Sequence, residues 1–487
     1  LLALPADNLE MIFRVGIENT NDGDDAVQFI ENNAAPLQVA PGFFLNELFT
    51  GDAPSLTNGF AVTPGYNDRD NISTSFQLNW DLDQVTFTSI TGYNDLELDS
   101  AVDSDYSAAA LQFTNTNVEQ NEFSQEFRLT SVDQAIRWMA GIYFYDLDRD
   151  TNTRTATTSA LADEATRNWA GFGSIGFDLT DQLALTIEGR YSYERKELNT
   201  TDASVSGFFI GDDSFNSFTP KVVLDYKLND SAMFYASVAK AVKSGGFNTT
   251  INPVSPPAAN ERSYDEEKSL NYEIGLKSSW LDDRLTTNLA VFYVDWTDQI
   301  VRSLGTNGAI LNDNAGESSS RGFELEVAAK PAKNWDVTAG VAYTDAKYDS
   351  YTFDGVGPIG LDTNLDGNRI QFVSDWTANT SVQYVKPAAV SGFDWKSRVD
   401  VMYQSDQTAQ SVDDIGVLPD RTIVNLRSGL ENNKYVVTLW VRNLFDDDSA
   451  SGAVVIHNPA KPSFVAFNGL IGAPVERTFG VTASMKF

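Results

Sequence analysis

Cysteine is absent from this 487-residue chain, and histidine occurs once, as His457. The first absence removes disulfides, thiol nucleophiles and cysteine-zinc centres; the second leaves no imidazole pair for a transition metal or haem. A lone histidine also disfavours a serine hydrolase, whose nucleophile needs a base beside it. Basic residues are scarce, 34 Lys and Arg against 68 Asp and Glu, for a net charge of −34. Nucleic-acid binding is therefore excluded, because neutralising phosphates takes clustered Lys and Arg. No apolar run reaches the ~18 residues that a membrane-spanning helix requires.

What is present is aromatic and alternating. The chain holds 30 Phe, 18 Tyr and 9 Trp within a hydrophobic content of 42%. Near its end, Phe479, Val481, Ala483, Met485 and Phe487 alternate strictly with Thr478, Gly480, Thr482, Ser484 and Lys486. That is a strand with one apolar and one polar face, finishing on an aromatic residue. The same separation recurs where Ile72, Thr74, Phe76, Leu78 and Trp80 oppose Asn71, Ser73, Ser75, Gln77 and Asn79. It recurs again where Leu183, Leu185, Ile187 and Tyr191 oppose Thr186, Glu188, Arg190 and Ser192, and where Tyr435, Val437, Leu439 and Val441 oppose Thr438 and Arg442.

Period-two runs bounded by turn residues give about 18 strands. Their connections alternate between short and long. Tight turns are expected at residues 5–8, 81–83, 131–133, 180–181, 229–230, 281–283, 331–333 and 431–433. Long loops are expected at 20–69, 97–118, 151–162, 199–212, 243–262, 304–316, 351–370, 405–420 and 446–473. Short turns on one rim and long loops on the other predict an all-β, antiparallel transmembrane β-barrel with periplasmic turns and extracellular loops. Aromatics near strand ends, Trp280, Tyr293, Trp296, Trp376, Tyr384, Trp395 and Tyr403, suit headgroup-level girdles.

Several blocks resemble the β-barrel of TonB-dependent receptors, the energised outer-membrane transporters of Gram-negative bacteria. They are Phe123-Ser-Gln-Glu-Phe-Arg-Leu129, Phe218-Thr-Pro-Lys221 followed by Tyr235-Ala-Ser237, and Lys243-Ser-Gly-Gly-Phe-Asn248. Further along come Tyr272-Glu-Ile-Gly-Leu-Lys277, Asp295-Trp-Thr-Asp298, Gly322-Phe-Glu-Leu-Glu326, Val441-Arg-Asn-Leu-Phe-Asp446 and Arg477-Thr-Phe-Gly-Val481. The resemblance implies a barrel of about 22 strands filled by a plug. Counted back from Phe487, residues 9–19 become its fifth strand and Leu1–Leu4 the tail of the fourth. Residues 1–487 are thus expected to be an N-terminally incomplete barrel with no plug domain, energy-coupling box or signal peptide. The resemblance further implies active uptake of a ferric siderophore or similar iron complex, with TonB, an extracellular small molecule and outer-membrane lipid and lipopolysaccharide as partners of a monomer. It implies no cofactor and no catalysis. Uptake of a glycan or cobalamin-like molecule, with Phe43, Phe44 and Phe49 stacking on sugar, and a plugless passive pore are the alternatives.

Individual residues carry narrower expectations. Asp362, Asn364 and Asp366 with Gly367 copy the first half of a calcium loop, although its twelfth position holds Val373 where a bidentate Glu belongs. Glu126 with Arg128, Glu188 with Arg190, and Glu324 with Glu326 alternate onto the polar, lumen-facing side, to rigidify the wall or hold a plug. Asp24-Asp25, Asp413-Asp414 and Asp446-Asp447-Asp448 are acidic loop clusters, solvated or contacting cations. Arg149, Arg154, Arg262 and Arg302 are candidate anion contacts. Phe487, with Phe479 on the same face, resembles the terminal aromatic signal read by the outer-membrane insertion machinery.

Overall fold

A computed structural model describes residues 2–23, 27–28, 38–40, 43–44, 65–103, 113–132, 136–155, 159–202, 207–248, 259–304, 310–353, 363–408, 417–449, 454–457, 466–472 and 476–486. Alternating sequence becomes one antiparallel sheet of 19 strands. It begins with β1 (Leu2–Ala6), β2 (Leu9–Gly23), β3 (Tyr66–Leu82), β4 (Val85–Asp103), β5 (Phe113–Ser131), β6 (Ile136–Arg154) and β7 (Ser159–Asp178). Next are β8 (Leu183–Asp202), β9 (Gly207–Asn229), β10 (Ala232–Lys243), β11 (Glu267–Trp280), β12 (Leu285–Leu304) and β13 (Ile310–Ala329). The last are β14 (Trp335–Tyr351), β15 (Trp376–Val390), β16 (Phe393–Gln404), β17 (Arg421–Glu431), β18 (Tyr435–Arg442) and β19 (Thr478–Met485). Each strand pairs with the next in chain order, and β1 and β19 form the two edges. Among the described residues no helix is long and apolar enough to cross a membrane.

The sheet is one strand larger than the ~18 read from periodicity, because β1 pairs with β2 over Leu2–Ala6 and counts as a strand of its own. All eight expected tight turns lie between paired strands. Many strands run on into the expected loops: β2 continues to Gly23, β6 to Arg154 and β8 to Asp202. These extensions are polar on both faces, so hydrophobic alternation fades along them while backbone pairing continues.

The outward face is apolar and exposed. Ile17, Ile142, Ile274, Leu439 and Phe479 all present their side chains to the surroundings. Aromatics bracket this band. By the short turns stand Trp80, Trp280, Trp335, Trp395 and Tyr435; at the other end stand Tyr93, Trp169, Tyr191, Tyr272, Tyr293, Tyr343 and Trp376. Cross-strand pairs tighten both rings, with Tyr343 and Trp376 centred 4.9 Å apart and Trp335 and Tyr384 4.8 Å apart. Trp296 departs from its expected place in the girdle. Register pairs it with Ser269 and Ser318 on the polar face, three residues along from the outward Tyr293.

The opposite face is polar, and the twist of so large a sheet curls that face inward. One extracellular segment has its own small core. Residues 363–370 fold back along β14, where the Tyr348 N–H donates to the Asn368 carbonyl at 3.0 Å and the Ile370 N–H to the Ala346 carbonyl at 3.1 Å. Val301, Tyr348, Tyr351 and Leu365 are buried together beneath this fold.

Candidate functional site

The polar face is the candidate site, since it gathers the charged side chains that the apolar outer band excludes. The alternation that turns Phe127 and Leu129 outward turns Glu126 and Arg128 inward, where they pair at 3.5 Å. Glu188 also faces inward, but its cation is Lys221 on β9 at 3.9 Å. Arg190 is held differently: its guanidinium lies 5.3 Å from the Tyr143 ring and 5.7 Å from the Phe172 ring, and its Nε donates to Ser192 Oγ at 3.0 Å. Glu324 and Glu326 share the wall with Glu273, which accepts from the Tyr235 hydroxyl at 2.6 Å, while Asn288 donates to Glu326 at 3.4 Å. These six charges fall on the sheet's polar face, in separate patches of it.

Toward the extracellular end, the Ser-Gly-Gly-Phe-Asn block crosses the inner face. Lys196 Nζ donates to the Gly245 carbonyl at 2.9 Å. Asn248 ties the block to β13: its Nδ2 donates to the Asn312 carbonyl at 2.8 Å and its Oδ1 accepts from the Asn312 N–H at 2.9 Å. Arg262 stacks 5.2 Å from the Phe209 ring, and Arg149 donates to Gln120 at 2.6 Å. Arg154 is exposed, and the Arg302 side chain lies outside the described residues.

The calcium-like loop has other work for its oxygens. Asp366 Oδ1 accepts from the Tyr351 N–H at 2.9 Å, Asn364 Oδ1 accepts from the Asp366 N–H at 2.9 Å, and Gly367 takes the positive φ of +83° that the turn demands. Asp362 lies outside the described residues, as do Asp24-Asp25, Asp413-Asp414, Phe49 and Phe487. Phe43, Phe44 and His457 are described only as backbone in short strands. Among the described residues no group of three or more His, Cys, Asp and Glu side chains is arranged to hold a metal ion.

One part of the wall was not singled out by the sequence. Between β15 and β19 the polar face forms a half-open pocket of about 730 Å³, lined by Lys396, Arg398, Asp400, Arg427, Trp440 and Arg442 among others. Asp400 accepts from Arg398 Nε at 2.7 Å and lies 3.4 Å from Arg427. Arg442 stacks 5.1 Å from the Trp440 ring, whose Nε1 donates to Thr482 Oγ1 at 3.1 Å. The signal was the run Lys396-Ser-Arg398-Val-Asp400, charged at every second residue, which strand periodicity puts on one face.

An apolar outer band between aromatic rings, a polar interior, short turns and long loops define a transmembrane β-barrel of the outer-membrane type. The chain belongs to the family of TonB dependent receptor-like β-barrels, which it matches over residues 16–444. It is accordingly an outer-membrane protein, in a family made up of transport receptors.

Among curated proteins it is 30% identical to the ferripyoverdine receptor of Pseudomonas aeruginosa over 203 residues, 40% of this chain and 23% of that receptor. It is 25% identical over 177 residues to a probable TonB-dependent siderophore receptor of Acinetobacter baumannii, covering 35% of this chain and 22% of the relative. The matched part thus spans about a quarter or less of each of these relatives' length. Among solved structures, the ferric yersiniabactin uptake receptor of Yersinia pestis superposes with a TM-score of 0.78 at 18% identity, over 99% of this chain and 68% of that one. The ferric-catecholate import receptor of Escherichia coli K12 gives 0.73 at 16% identity, over 99% and 72%. These structural likenesses establish the fold.

Proposed function

We propose that this chain forms the barrel wall of an energised receptor that imports a ferric siderophore or a similar iron chelate. The observation that carries the reading is the family match over residues 16–444, joined to relatives that are ferripyoverdine and other siderophore receptors. The barrel works as a monomer with a plug in its lumen and with TonB, which supplies the energy from the periplasmic side. The lumen charges Glu126, Arg128, Glu188, Arg190, Glu324 and Glu326 stiffen the wall and seat that plug. Phe479 faces lipid on the last strand, and with Phe487 it serves insertion into the membrane.

The test is iron-limited growth and radio-iron uptake in the source bacterium, with the gene intact or deleted, over a panel of ferric chelates. Loss of uptake of one chelate, reproduced by disabling TonB, is the expected result. Unchanged iron uptake with lost growth on a glycan would overturn the choice of cargo. Uptake independent of TonB would overturn energised transport in favour of a passive pore.

A further inference from the structure

The short-turn rim divides its charge between two arcs. Along the turns from β1 to β12 the exposed side chains include the carboxylates Asp81, Asp83, Asp181, Asp230, Asp282 and Asp283. Cations beside them are taken up, Arg137 by Asp178 at 2.8 Å and Arg284 by the Leu281 carbonyl at 3.1 Å. From β13 onward the same rim is basic: Lys330, Lys333, Lys386 and Lys434 are exposed, and none has an ion pair among the described residues. In a chain with 68 carboxylates against 34 Lys and Arg, four unpaired lysines on one arc are a local reversal of charge. The carboxylates of that arc are engaged or turned away. Glu431 pairs with Lys486 at 3.1 Å, Asp394 accepts from the Ala388 N–H at 2.8 Å, and Asp336 alternates onto the polar face beside the outward Trp335.

The lysines stand against the periplasmic ring of aromatics. Register sets Lys386 directly across from Trp395 on the outward face, while Lys333 and Lys434 lie within two residues of Trp335 and Tyr435, with Lys434 Nζ 5.4 Å from the centre of the Tyr435 ring. Trp335, Tyr384 and Trp395 form one platform, centred 4.8 and 6.1 Å apart in turn, and Trp395 Nε1 is anchored by donating to Ser428 Oγ at 2.8 Å. Such rings sit at headgroup level, and the flexible lysine stem carries its ammonium past them to the plane of the phosphates. The other arc lacks this combination, since Trp80 is followed by Asp81 and Trp280 by Asp282 and Asp283.

We propose that the turn-side end of β14–β18 is a docking surface for anionic phospholipid of the periplasmic leaflet. The phosphate headgroups lie among Lys330, Lys333, Lys386 and Lys434, and the acyl chains run along the apolar outer band. One flank of the barrel thereby gathers anionic lipid, and the flank from β1 to β12 repels it. The surface is on the outer wall and is independent of what the lumen carries.

The test reconstitutes the 487-residue chain in phosphatidylcholine bilayers and follows quenching of tryptophan fluorescence by brominated lipid. Brominated phosphatidylglycerol is expected to quench more than an equal share of brominated phosphatidylcholine, by an excess that falls as salt rises. Trp335→Phe with Trp395→Phe should remove the excess, and Trp80→Phe with Trp280→Phe should leave it. Lys330→Gln, Lys333→Gln, Lys386→Gln and Lys434→Gln together should lower the relative affinity for phosphatidylglycerol roughly ten-fold or more. Arg at the same four positions, which keeps the charge, should preserve it.

Equal quenching by the two lipids, or an excess that survives in the four-Gln chain or without Trp335 and Trp395, would overturn the surface. So would loss of the excess to inorganic phosphate but not to chloride at equal ionic strength, which would mark a site for free phosphate. Binding of polyglutamate in phosphatidylcholine bilayers, with no phosphatidylglycerol excess, would overturn it in favour of a protein-binding face. A failure here leaves the cargo assignment standing, since no readout involves iron uptake.

Discussion

Asn443 and Asp447 clasp each other at the extracellular end of β18: Asn443 Nδ2 donates to the Asp447 carbonyl at 2.8 Å, and Asn443 Oδ1 accepts from the Asp447 N–H at 2.9 Å. Asn443 is 1% exposed and sits at φ 50°, while its own N–H is held by Asn425 Oδ1 at 2.9 Å. Its side chain is thus buried, doubly bonded and in the left-handed region that asparagine tolerates better than most residues. Asn443→Ala should cost about 1–3 kcal/mol for the orphaned groups. Asn443→Gly, which relieves φ and loses the same bonds, should fall between that variant and wild type in thermal unfolding in detergent.

The Asp447 carboxylate, which accepts from the Thr422 and Ser449 N–H groups beside the clasp, makes this end of β18 sensitive to acid. Burial pushes its carboxyl pKa up, but hydrogen bonds from Ser449 and from the Thr422 N–H outweigh this and hold the value below that of an ordinary aspartate. A lowered folded pKa means that the stabilisation is complete above the unfolded value of about 3.9 and is lost as pH falls through the folded one. Asp447→Asn should therefore melt below wild type at neutral pH, and the two melting curves should converge in acid. A constant difference from neutral pH down through the acid range would contradict the assignment.

Gly480 and Trp440 face each other across β18 and β19. A Cβ at position 480 would lie 2.5 Å from the Trp440 ring, so the indole covers the glycine and cannot keep its place over a larger residue. Gly480→Ala should destabilise by about 1–3 kcal/mol through overpacking and alter the tryptophan near-ultraviolet circular dichroism. Adding Trp440→Leu should recover most of that loss, and no recovery would show that the strain lies elsewhere.

The two faces of the sheet should respond oppositely to one added charge. Leu439, 61% exposed on the outer band, replaced by Arg should cost about 2–4 kcal/mol near the bilayer midplane. Asn379→Arg, on the polar face of β15, should change stability little. Urea unfolding in lipid bilayers makes the comparison, and equal costs would refute the division into lipid and lumen faces.

Much of this architecture was readable in order along the chain. Strict alternation in Ile72–Trp80 and Thr478–Phe487 assigned faces without tertiary information, because a strand's period of two is a property of the backbone itself. Turns such as Leu281–Asp283 announced themselves by their residues; Leu281, Asp282 and Asp283 all adopt positive φ. Trp296 was misplaced because aromatic character alone does not reveal which side of the strand a residue occupies. The strand extensions above the aromatic ring were read as loops, since both of their faces meet water there and no contrast remains to detect.

The sequence by itself determined the all-β meander, the apolar outer band and the place of Glu126, Arg128, Glu188, Arg190, Glu324 and Glu326 on the polar face of their strands. Only the tertiary structure decided which of those charges meet. Glu188 found Lys221 rather than Arg190, and Arg190 settled between Tyr143 and Phe172. Lys396, Arg398, Arg427 and Arg442 gathered from three strands around one pocket. The physical reason is register: periodicity along a strand fixes the face, but which residues of neighbouring strands lie side by side depends on how far one strand is shifted against the next.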